Sequence, residues 1–177
     1  MEAPPAAVPI RADRREEFGS LAAAELSASY QLATRILGNR SDAEDAVNEA
    51  ILRAWSSFDS LHDYGSFRPW LMRIVVNVCR NDLRHRRVLR IEPLGEDDRQ
   101  TEDQFAGGLL RDAVARAMEC LSPDLRVVVV LRFWNDLEVD EIARIVGAPS
   151  GTVKWRLHAA NQRMKAELDR SGWEVSR

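Results

Sequence analysis

Hydrophobic residues recur along most of the chain at the spacing of an α-helix. One stripe follows the sequence SDAE, and its members are Val47, Ala50, Ile51, Ala54 and Phe58. A second stripe, behind Pro69, consists of Trp70, Leu71, Ile74, Val75 and Val78. Residues three, four and seven apart share one side of a helix, so each stripe predicts a helix with one buried face. The pattern therefore predicts an all-α chain.

Capping residues and turn formers mark the ends of the first helices. A helix is predicted over residues 21–37, where Gly38-Asn39 stops it, and Ser41-Asp42-Ala43-Glu44 has the form of a capping box for the next. The segment from Phe58 to Phe67 is rich in turn formers and aromatic residues and predicts a loop. Pro69 then lies in the first turn of a third helix, where a missing N–H is tolerated.

The middle of the carboxyl-terminal half predicts two more helices. The first covers residues 109–121, and Ser122-Pro123-Asp124 after it has the cap, proline and acid of a helix start. The run VVVVLRFW that follows is ambiguous, because valine favours strands. The cap before this run and the helical pattern after it favour a helix.

The last third of the chain has the spacing of a helix-turn-helix. Ala143, Gly147 and Val153 would let two helices approach, form the turn, and pin the second helix to the first. Ser150 is predicted to cap that second helix. The buried stripe of the second helix is predicted to be Val153, Leu157, Ala160 and Met164.

Charge is distributed unevenly along the 177 residues, whose net charge is −3. Residues 41–63 carry −5 and residues 91–106 carry −5, whereas residues 68–90 carry +6 and residues 150–165 carry +4 with no acid. Charge runs are usually solvated helix faces, but here both basic runs coincide with helical motifs. Two basic surfaces separated by an acidic spacer indicate nucleic-acid binding.

Several classes of function find no support in the sequence. Cys79 and Cys120 are far apart and in apolar surroundings, which predicts two buried thiols and neither a disulfide framework nor a zinc site. Three scattered histidines, without a phosphate-binding glycine loop or a catalytic triad, predict no enzyme, no metal and no cofactor. No apolar run is long enough to cross a bilayer, so we expect a cytoplasmic protein without membrane insertion.

The chain has two helical stretches, over residues 18–90 and 109–172. We expect a disordered tail over residues 1–17 and a flexible acidic segment over 91–108 between the two stretches. The length of the chain allows one ordinary domain or two small ones joined by a linker.

Three stretches of the sequence, taken in their order along the chain, resemble one known family: SDAEDAVNEAILRAW, FRPWLMRIVVNVCRNDLRHRR and LEVDEIARIVGAPSGTVKWRLHAANQRM. They resemble the extracytoplasmic-function (ECF, group-four) sigma factors, which are alternative promoter-recognition subunits of bacterial RNA polymerase. The resemblance covers about residues 18–170. It implies two small all-α domains joined by the flexible acidic linker 91–108: a sigma-two domain over 18–90 and a sigma-four domain with the helix-turn-helix over 109–172. It implies binding to core RNA polymerase, recognition of minus-thirty-five and minus-ten promoter elements, DNA melting and initiation of transcription.

The resemblance also implies roles for particular residues. The first stretch resembles the segment that docks on the clamp helices of the largest polymerase subunit, with Asp42, Asp45, Asn48, Glu49 and Arg53 as candidates. The second resembles the minus-ten element reader, with His62, Asp63, Tyr64, Trp70, Arg73, Asn77, Arg80, Arg84, Arg86 and Arg87. The third resembles the minus-thirty-five reader, with Ser150, Thr152, Lys154, Trp155, Arg156, His158 and Arg163. The implied partners are promoter DNA, the polymerase clamp helices and flap region, and an anti-sigma factor that no residue here identifies.

Departures from the family pattern and two rival functions remain open. Trp155 stands where a small serine is common, Ala159 and Asn161 stand where basic residues are common, and Asn81 stands where an acid is common. The first three departures predict an upstream element that is bound more weakly or read differently, and Asn81 leaves the exact minus-ten contacts open. A stand-alone helix-turn-helix regulator would explain the last third of the chain but not the arginines and aromatics of the second stretch. A helical adaptor protein would keep a protein partner and ignore DNA.

Overall fold

The computed structural model describes residues 10–89 and 108–172, and helices make up most of this part. Two 3-10 turns, Phe58–Ser60 and Tyr64–Ser66, lie between the second and third helices. The α-helices are α1 (Ile10–Leu37), α2 (Arg40–Ser57), α3 (Phe67–Leu89), α4 (Gly108–Glu119), α5 (Pro123–Phe133), α6 (Val139–Val146) and α7 (Ser150–Arg170). No strand occurs in the described ranges, which confirms the all-α prediction. The predicted linker lies outside those ranges apart from Gly108, where α4 begins.

Helices α1, α2 and α3 pack on one another as an amino-terminal bundle. The predicted stripe of α2 is confirmed: its Val47, Ala50, Ala54 and Phe58 are buried, and Ile51 packs at the edge of the core. In α3 the burial extends beyond the predicted stripe to Val76 and Cys79. This second buried side exists because the carboxyl-terminal domain packs on α3 as well.

Helix α1 begins at Ile10, so the prediction of a loose tail is wrong for residues 10–17. Tertiary contacts explain the extension. The ring of Phe18 is buried against Trp55 and Phe58, with centroids 5.2 and 5.1 Å apart. The Arg14 guanidinium lies over the same two rings and pairs with Asp59 at 2.7 Å. Residues 1–9 lie outside the described ranges.

The start of α2 differs from the predicted capping box. The N-cap is Asn39, whose side-chain oxygen accepts a hydrogen bond from the Asp42 backbone N–H at 2.8 Å, and its amide group donates to the Asp42 carboxylate. Helix α2 therefore begins at Arg40, and Ser41 lies inside its first turn. Asparagine is at least as good an N-cap as serine, and the second bond, between the Asn39 and Asp42 side chains, holds this cap in place.

The carboxyl-terminal domain consists of α4 to α7. The valine run is helical, as predicted, and α5 starts after Ser122 with Pro123 and Asp124 in its first turn. Every residue from Val127 to Leu131 is buried. Burial on all sides lets β-branched residues tolerate a helix, because the packing gained exceeds their small propensity penalty.

The two domains share one continuous hydrophobic core. Val127, Val128 and Leu131 of α5 belong to the same buried cluster as Ile36 of α1 and Val75 of α3. Helices α5 and α6 pack against α3, and α5 also packs against α1. A helix that is apolar all round needs partners on every side. Here the amino-terminal bundle supplies one of those sides.

The two cysteines differ from each other, contrary to the prediction of two buried thiols. Cys79 is buried, and burial raises the pKa of its thiol to about 12. Cys120 is exposed, because it follows the last residue of α4, and its thiol lies beside Glu167 of α7. Over the described ranges, no helix has the length and apolarity needed to span a membrane, and no cluster of His, Cys, Asp or Glu is suited to a metal ion.

Candidate nucleic-acid interface

A row of polar and basic side chains runs along α3 at intervals of three and four residues. Such residues share one helix face, and we call this row the α3 stripe: Arg73, Asn77, Arg80, Arg84 and Arg87. Arg73, Arg84 and Arg87 are exposed, whereas Asn77 and Arg80 are half-buried. The Asn77 side-chain oxygen accepts a hydrogen bond from Arg80 at 3.2 Å. The stripe can hold a phosphate backbone while the amide of Asn77 remains available to a base edge.

Arg86, which the sequence placed with these arginines, points to a different side of α3. Its guanidinium pairs with Asp42 of α2 and, at 2.8 Å, with Asp82 one turn earlier. The hydrogen bond from Arg86 also holds the pKa of the Asp42 carboxyl below its ordinary value. Arg86 therefore links two helices of the amino-terminal bundle and is not part of the α3 stripe.

The loop between α2 and α3 is built on a cluster of aromatic rings. The exposed ring of Tyr64 stacks on buried Phe58, with centroids 5.5 Å apart and planes 9° from parallel. The Asp63 carboxylate orders the turn, since it accepts hydrogen bonds from the Gly65 N–H at 3.0 Å and the Ser66 hydroxyl at 2.7 Å. His62 is exposed beside it. This loop, residues 58–66, presents an aromatic face on which a base could stack.

Trp70 lies where the loop meets the α3 stripe. Its indole is half-buried and packs on Phe67, with ring centroids 5.7 Å apart. Part of the ring therefore belongs to the core, as predicted, and the rest borders the loop. The loop and the stripe form one continuous surface of the amino-terminal domain.

Helix α7 is the second helix of the helix-turn-helix. Gly147 adopts the left-handed conformation at φ 65° that ends α6, and Val153 is completely buried against the core. On the opposite side of α7, Trp155 is 65% exposed and His158 lies one turn further along. Lys154 flanks this exposed side on one edge, and Arg156 and Arg163 flank it on the other. Cations on both edges of an outward helix suit the two phosphate chains that border a groove.

Ser150 and Thr152 differ from the other predicted readers of the upstream element. The N-cap of α7 is Pro149, so Ser150 is the first helical residue and not the cap that the sequence predicted. Its hydroxyl donates a hydrogen bond to the Asp140 carboxylate of α6 at 2.5 Å. This bond fixes the turn between the two helices. Thr152 is half-buried at the edge of the exposed side.

The polar side of α2 forms a third surface, which we call the α2 face: Asp45, Asn48, Glu49 and Arg53. All of them are exposed, and Arg53 pairs with Glu49 at 2.5 Å. The predicted fifth member, Asp42, is half-buried and engaged by Arg86 and Asn39. The α2 face is therefore shorter than the sequence indicated, and its charge is mostly acidic.

Two residues of α5 make contacts between the domains that the sequence did not predict. Asp124, at the start of α5, pairs with Arg84 of the α3 stripe at 2.9 Å. Arg126 donates hydrogen bonds to the backbone carbonyls of Met118 at 3.0 Å and Ile36 at 3.3 Å, and burial lowers the pKa of its guanidinium. It thus caps the ends of α4 and α1, one from each domain. One feature of the sequence could have indicated this contact. The apolar run 127–131 that follows Arg126 is too long for one packing partner and needs a second.

Comparisons with known proteins identify the family to which both domains are similar. The family model Sigma-70 region 2 matches residues 21–88, and the model Sigma-70, region 4 matches residues 111–164. The ECF RNA polymerase sigma factor SigW of Bacillus subtilis is 32% identical over 153 residues, which cover 78% of this chain and 82% of that protein. The ECF RNA polymerase sigma factor SigE of Mycolicibacterium smegmatis is 32% identical over 154 residues, which cover 83% of this chain and 60% of that protein.

This chain belongs to the ECF sigma factors. Region 2 of the family contains the α2 face, the aromatic loop and the α3 stripe, and region 4 contains the helix-turn-helix with Trp155. Solved structures of similar fold include CnrH in complex with the cytosolic domain of CnrY, with TM-score 0.63, 28% identity, and coverage of 88% of this chain and 90% of that one. The sigma factor RpoE from Bartonella quintana, in complex with the anti-sigma factor NepR, has TM-score 0.70, 24% identity, and coverage of 92% and 99%. The likeness to RpoE concerns the fold alone.

Proposed function

We propose that this ECF sigma factor binds core RNA polymerase, recognises minus-thirty-five and minus-ten promoter elements, promotes DNA melting and directs the initiation of transcription. The observation that carries the proposal is the placement of two basic surfaces, the α3 stripe and the exposed side of α7, on separate domains of one chain. Two surfaces of this kind can contact two elements of one promoter. We place the activity in the cytoplasm and assign no catalytic step to the chain.

We assign recruitment by the polymerase to the α2 face. Its exposed acids suit a basic partner helix, and charge complementarity of this kind governs partner choice and association rate. Replacing Asp45 and Glu49 by lysine should slow association with purified core polymerase and weaken the complex. Replacing Glu44 by lysine is the matched control, because Glu44 is exposed on α2 but outside the face. Equal loss in both variants would contradict the assignment.

We assign melting to the α3 stripe together with the aromatic loop. Opening a promoter needs cations for the separated strand and a surface for an extruded base. Stacking on an aromatic ring contributes about 1–3 kcal/mol per base, comparable with the few kcal/mol spent on unpairing it. Tyr64, stacked on Phe58, is the best exposed ring of this loop. The adjoining arginines can then hold the strand.

Replacing Arg80 and Arg84 by alanine tests the melting role in the polymerase complex. Open complex, measured by permanganate reactivity of unpaired thymines, should fall more than closed complex, measured by gel shift at low temperature. The control replaces Arg15 and Arg35, two exposed arginines of α1, by alanine. If open and closed complexes fall equally in the Arg80 and Arg84 variant, the melting role is rejected.

We assign the upstream element to α7, with Lys154, Trp155, Arg156, His158 and Arg163 as the contacting residues. The exposed side can enter a major groove, and the flanking cations can contact phosphates. A stand-alone helix-turn-helix regulator would bind duplex DNA tightly without polymerase. The sigma factor should instead bind isolated promoter DNA weakly and with steep salt dependence, since backbone cations release counterions.

An anti-sigma factor is a further proposed partner. CnrH, which is 28% identical to this chain, is bound to the cytosolic domain of CnrY in its solved structure. The support for a protein partner of this kind is that similarity together with family membership. Co-purification from cells that express the tagged chain, followed by mass spectrometry of the bound proteins and a transcription assay with each, would test it.

A further inference from the structure

The helix-turn-helix domain packs against α3 and contacts part of the α3 stripe, whose Arg73, Arg84 and Arg87 stay exposed. Both carboxylate oxygens of Asp124 accept hydrogen bonds from the Arg84 guanidinium, at 3.0 and 2.9 Å, and one of them lies 3.8 Å from the guanidinium of Arg80. One carboxylate of the carboxyl-terminal domain thus occupies two cations of the amino-terminal domain. The proposed function assigns these same two arginines to the binding of a DNA strand.

A carboxylate and a phosphate offer arginine the same kind of partner. Each presents anionic oxygens to the N–H groups of a guanidinium, and each forms charge-assisted hydrogen bonds with it. Both hydrogen bonds to Asp124 come from the Nη2 group of Arg84, so a phosphate that uses this group can bind it only after Asp124 has left. The contact is therefore competitive with a nucleic-acid backbone.

The arginines around Asp124 come from both domains. Burial and the neighbouring charge of Arg84 lower the pKa of Arg80, and the charge of Arg156 on α7 lowers it further. The Nε atom of Arg80 is also buried without a hydrogen-bond partner. Arginines from both domains thus face each other across this interface, and Asp124 offsets their repulsion.

The carboxyl-terminal domain contacts the stripe at a second place, near Arg73, while the outer side of α7 remains exposed. At the other end of the stripe the turn of the helix-turn-helix reaches Arg73, whose guanidinium would lie 3.9 Å from a Cβ at Gly147. Trp155 remains 65% exposed. In this arrangement Trp155 on the upstream-reading side is accessible, whereas Arg80 and Arg84 on the strand-binding side are engaged by the chain's own carboxyl-terminal domain.

We propose that Asp124 is an internal phosphate mimic that latches the helix-turn-helix domain over the α3 stripe and lowers the affinity of the free sigma factor for single-stranded DNA. The assignment of the stripe to the DNA strand rests on the proposed function. The contact adds to the shared hydrophobic core in favouring a closed state. The apparent affinity for the strand is then the intrinsic affinity multiplied by the fraction of molecules that are open. Any partner that separates the domains removes this penalty.

The test compares the binding of the free, full-length chain to a fluorescent random-sequence single-stranded oligonucleotide by anisotropy. Asp124→Asn should lower the Kd about twofold to fivefold, the range expected for a partly exposed ion pair. Asp124→Glu, which keeps the charge, should bind nearly as weakly as the wild type. The matched control is Asp112→Asn, which removes the same charge from an exposed site on α4 and should change little.

The same comparison in a chain lacking Arg80 and Arg84 separates a latch from a general charge effect. With both arginines replaced by alanine, Asp124→Asn should no longer raise affinity. The latch is overturned if Asp124→Asn binds no more tightly than Asp112→Asn, or if its gain survives in the chain without the two arginines.

Domain separation provides a readout that does not involve DNA. Donor and acceptor dyes can be attached to Cys120, which is exposed on the carboxyl-terminal domain, and to a cysteine in place of exposed Leu52 on α2, while buried Cys79 is protected from labelling. Energy transfer should fall in Asp124→Asn and, from the other side of the contact, in Arg84→Ala. Unchanged transfer in both variants would reject the latch. Failure of the wild type to initiate transcription with core polymerase would instead reject the proposed function.

Discussion

Among single residues, Trp155 is the side chain to which we assign the most direct influence on upstream recognition. It lies on the outer side of α7, opposite buried Val153, and is 65% exposed. An indole in this position can contact the methyl group of thymine, a contact that a small polar side chain cannot make. We therefore attribute to Trp155 a preference of this sigma factor within the minus-thirty-five element.

Replacing Trp155 by serine should change that preference without abolishing initiation. Discrimination at one or two base positions should fall by about tenfold, since each wrong base pair costs about 1–3 kcal/mol in a specific site. Sequencing of promoters selected by the polymerase complex measures the effect. Phe133→Ser, which alters another exposed aromatic of the same domain, should leave the base preference intact. An identical selected sequence with Trp155→Ser would exclude the contact.

Asp42 makes the stability of the amino-terminal domain dependent on pH. Its hydrogen bond with Arg86 holds the pKa of the carboxyl below the ordinary value of 3.8, so folding favours the charged form. The stabilisation is present above that value and is lost as the pH falls through the lower, folded pKa. Asp42→Asn should destabilise by about 0.5–1 kcal/mol at neutral pH and flatten the fall of Tm below about pH 4.

Thermal unfolding between neutral and strongly acidic pH measures this effect. Asp45→Asn is the control, because Asp45 is exposed on the same helix and outside this hydrogen-bonded group. Should both variants show the same acid dependence as the wild type, the contact between Asp42 and Arg86 contributes nothing to folding. The sequence offered no way to find the pair, since Asp42 and Arg86 are separated by a whole helix and a loop.

At the scale of elements, the turn between α6 and α7 sets the orientation of the recognition helix. Gly147 adopts φ 65°, a conformation that costs a residue with a Cβ about 1–2 kcal/mol. The nearest atom to an added Cβ, on Arg73, would be 3.9 Å away, which is ordinary contact. The penalty for a side chain at this position would therefore come from the backbone alone.

Gly147→Ala should lower the free energy of unfolding by about 1–2 kcal/mol, measured by denaturant titration. Gly151→Ala is the matched control in the first turn of α7, where an added Cβ meets no atom within 4 Å. Its stability should be unchanged or slightly raised, because alanine favours a helix. Equal stability of the two variants would show that the left-handed turn is not required.

Helix types and most helix ends were predictable because their signals are local. Pro123 and Gly147 act through their own backbone geometry, and the apolar stripe of α2 through the period of one helix. The start of α1 was not predictable, since it depends on Arg14 and Phe18 meeting rings that lie far along the chain. The cap of α2 was misplaced by two residues because Asn39 and Ser41 are both good caps.

At the scale of the whole molecule, the two domains form one packed unit across the described residues. The family resemblance indicated two domains and a linker, and the sequence alone did not indicate that they meet. The reason is physical: Asp124 and Arg84 are each ordinary exposed residues on their own helices, and their contact exists only once α5 has packed on α3. The outward residues of α7 were predictable, whereas the covering of the α3 stripe was not.

We propose that both basic surfaces act together on one promoter when the chain is bound to core polymerase. Run-off transcription with purified core enzyme, this chain and a promoter library measures this joint action. We expect transcripts that start at defined positions and depend on two separated sequence elements. The preferred upstream element should change in Trp155→Ser, and use of the downstream element should require Arg80 and Arg84. Binding to core without initiation at any defined sequence, or no binding at all, would contradict it.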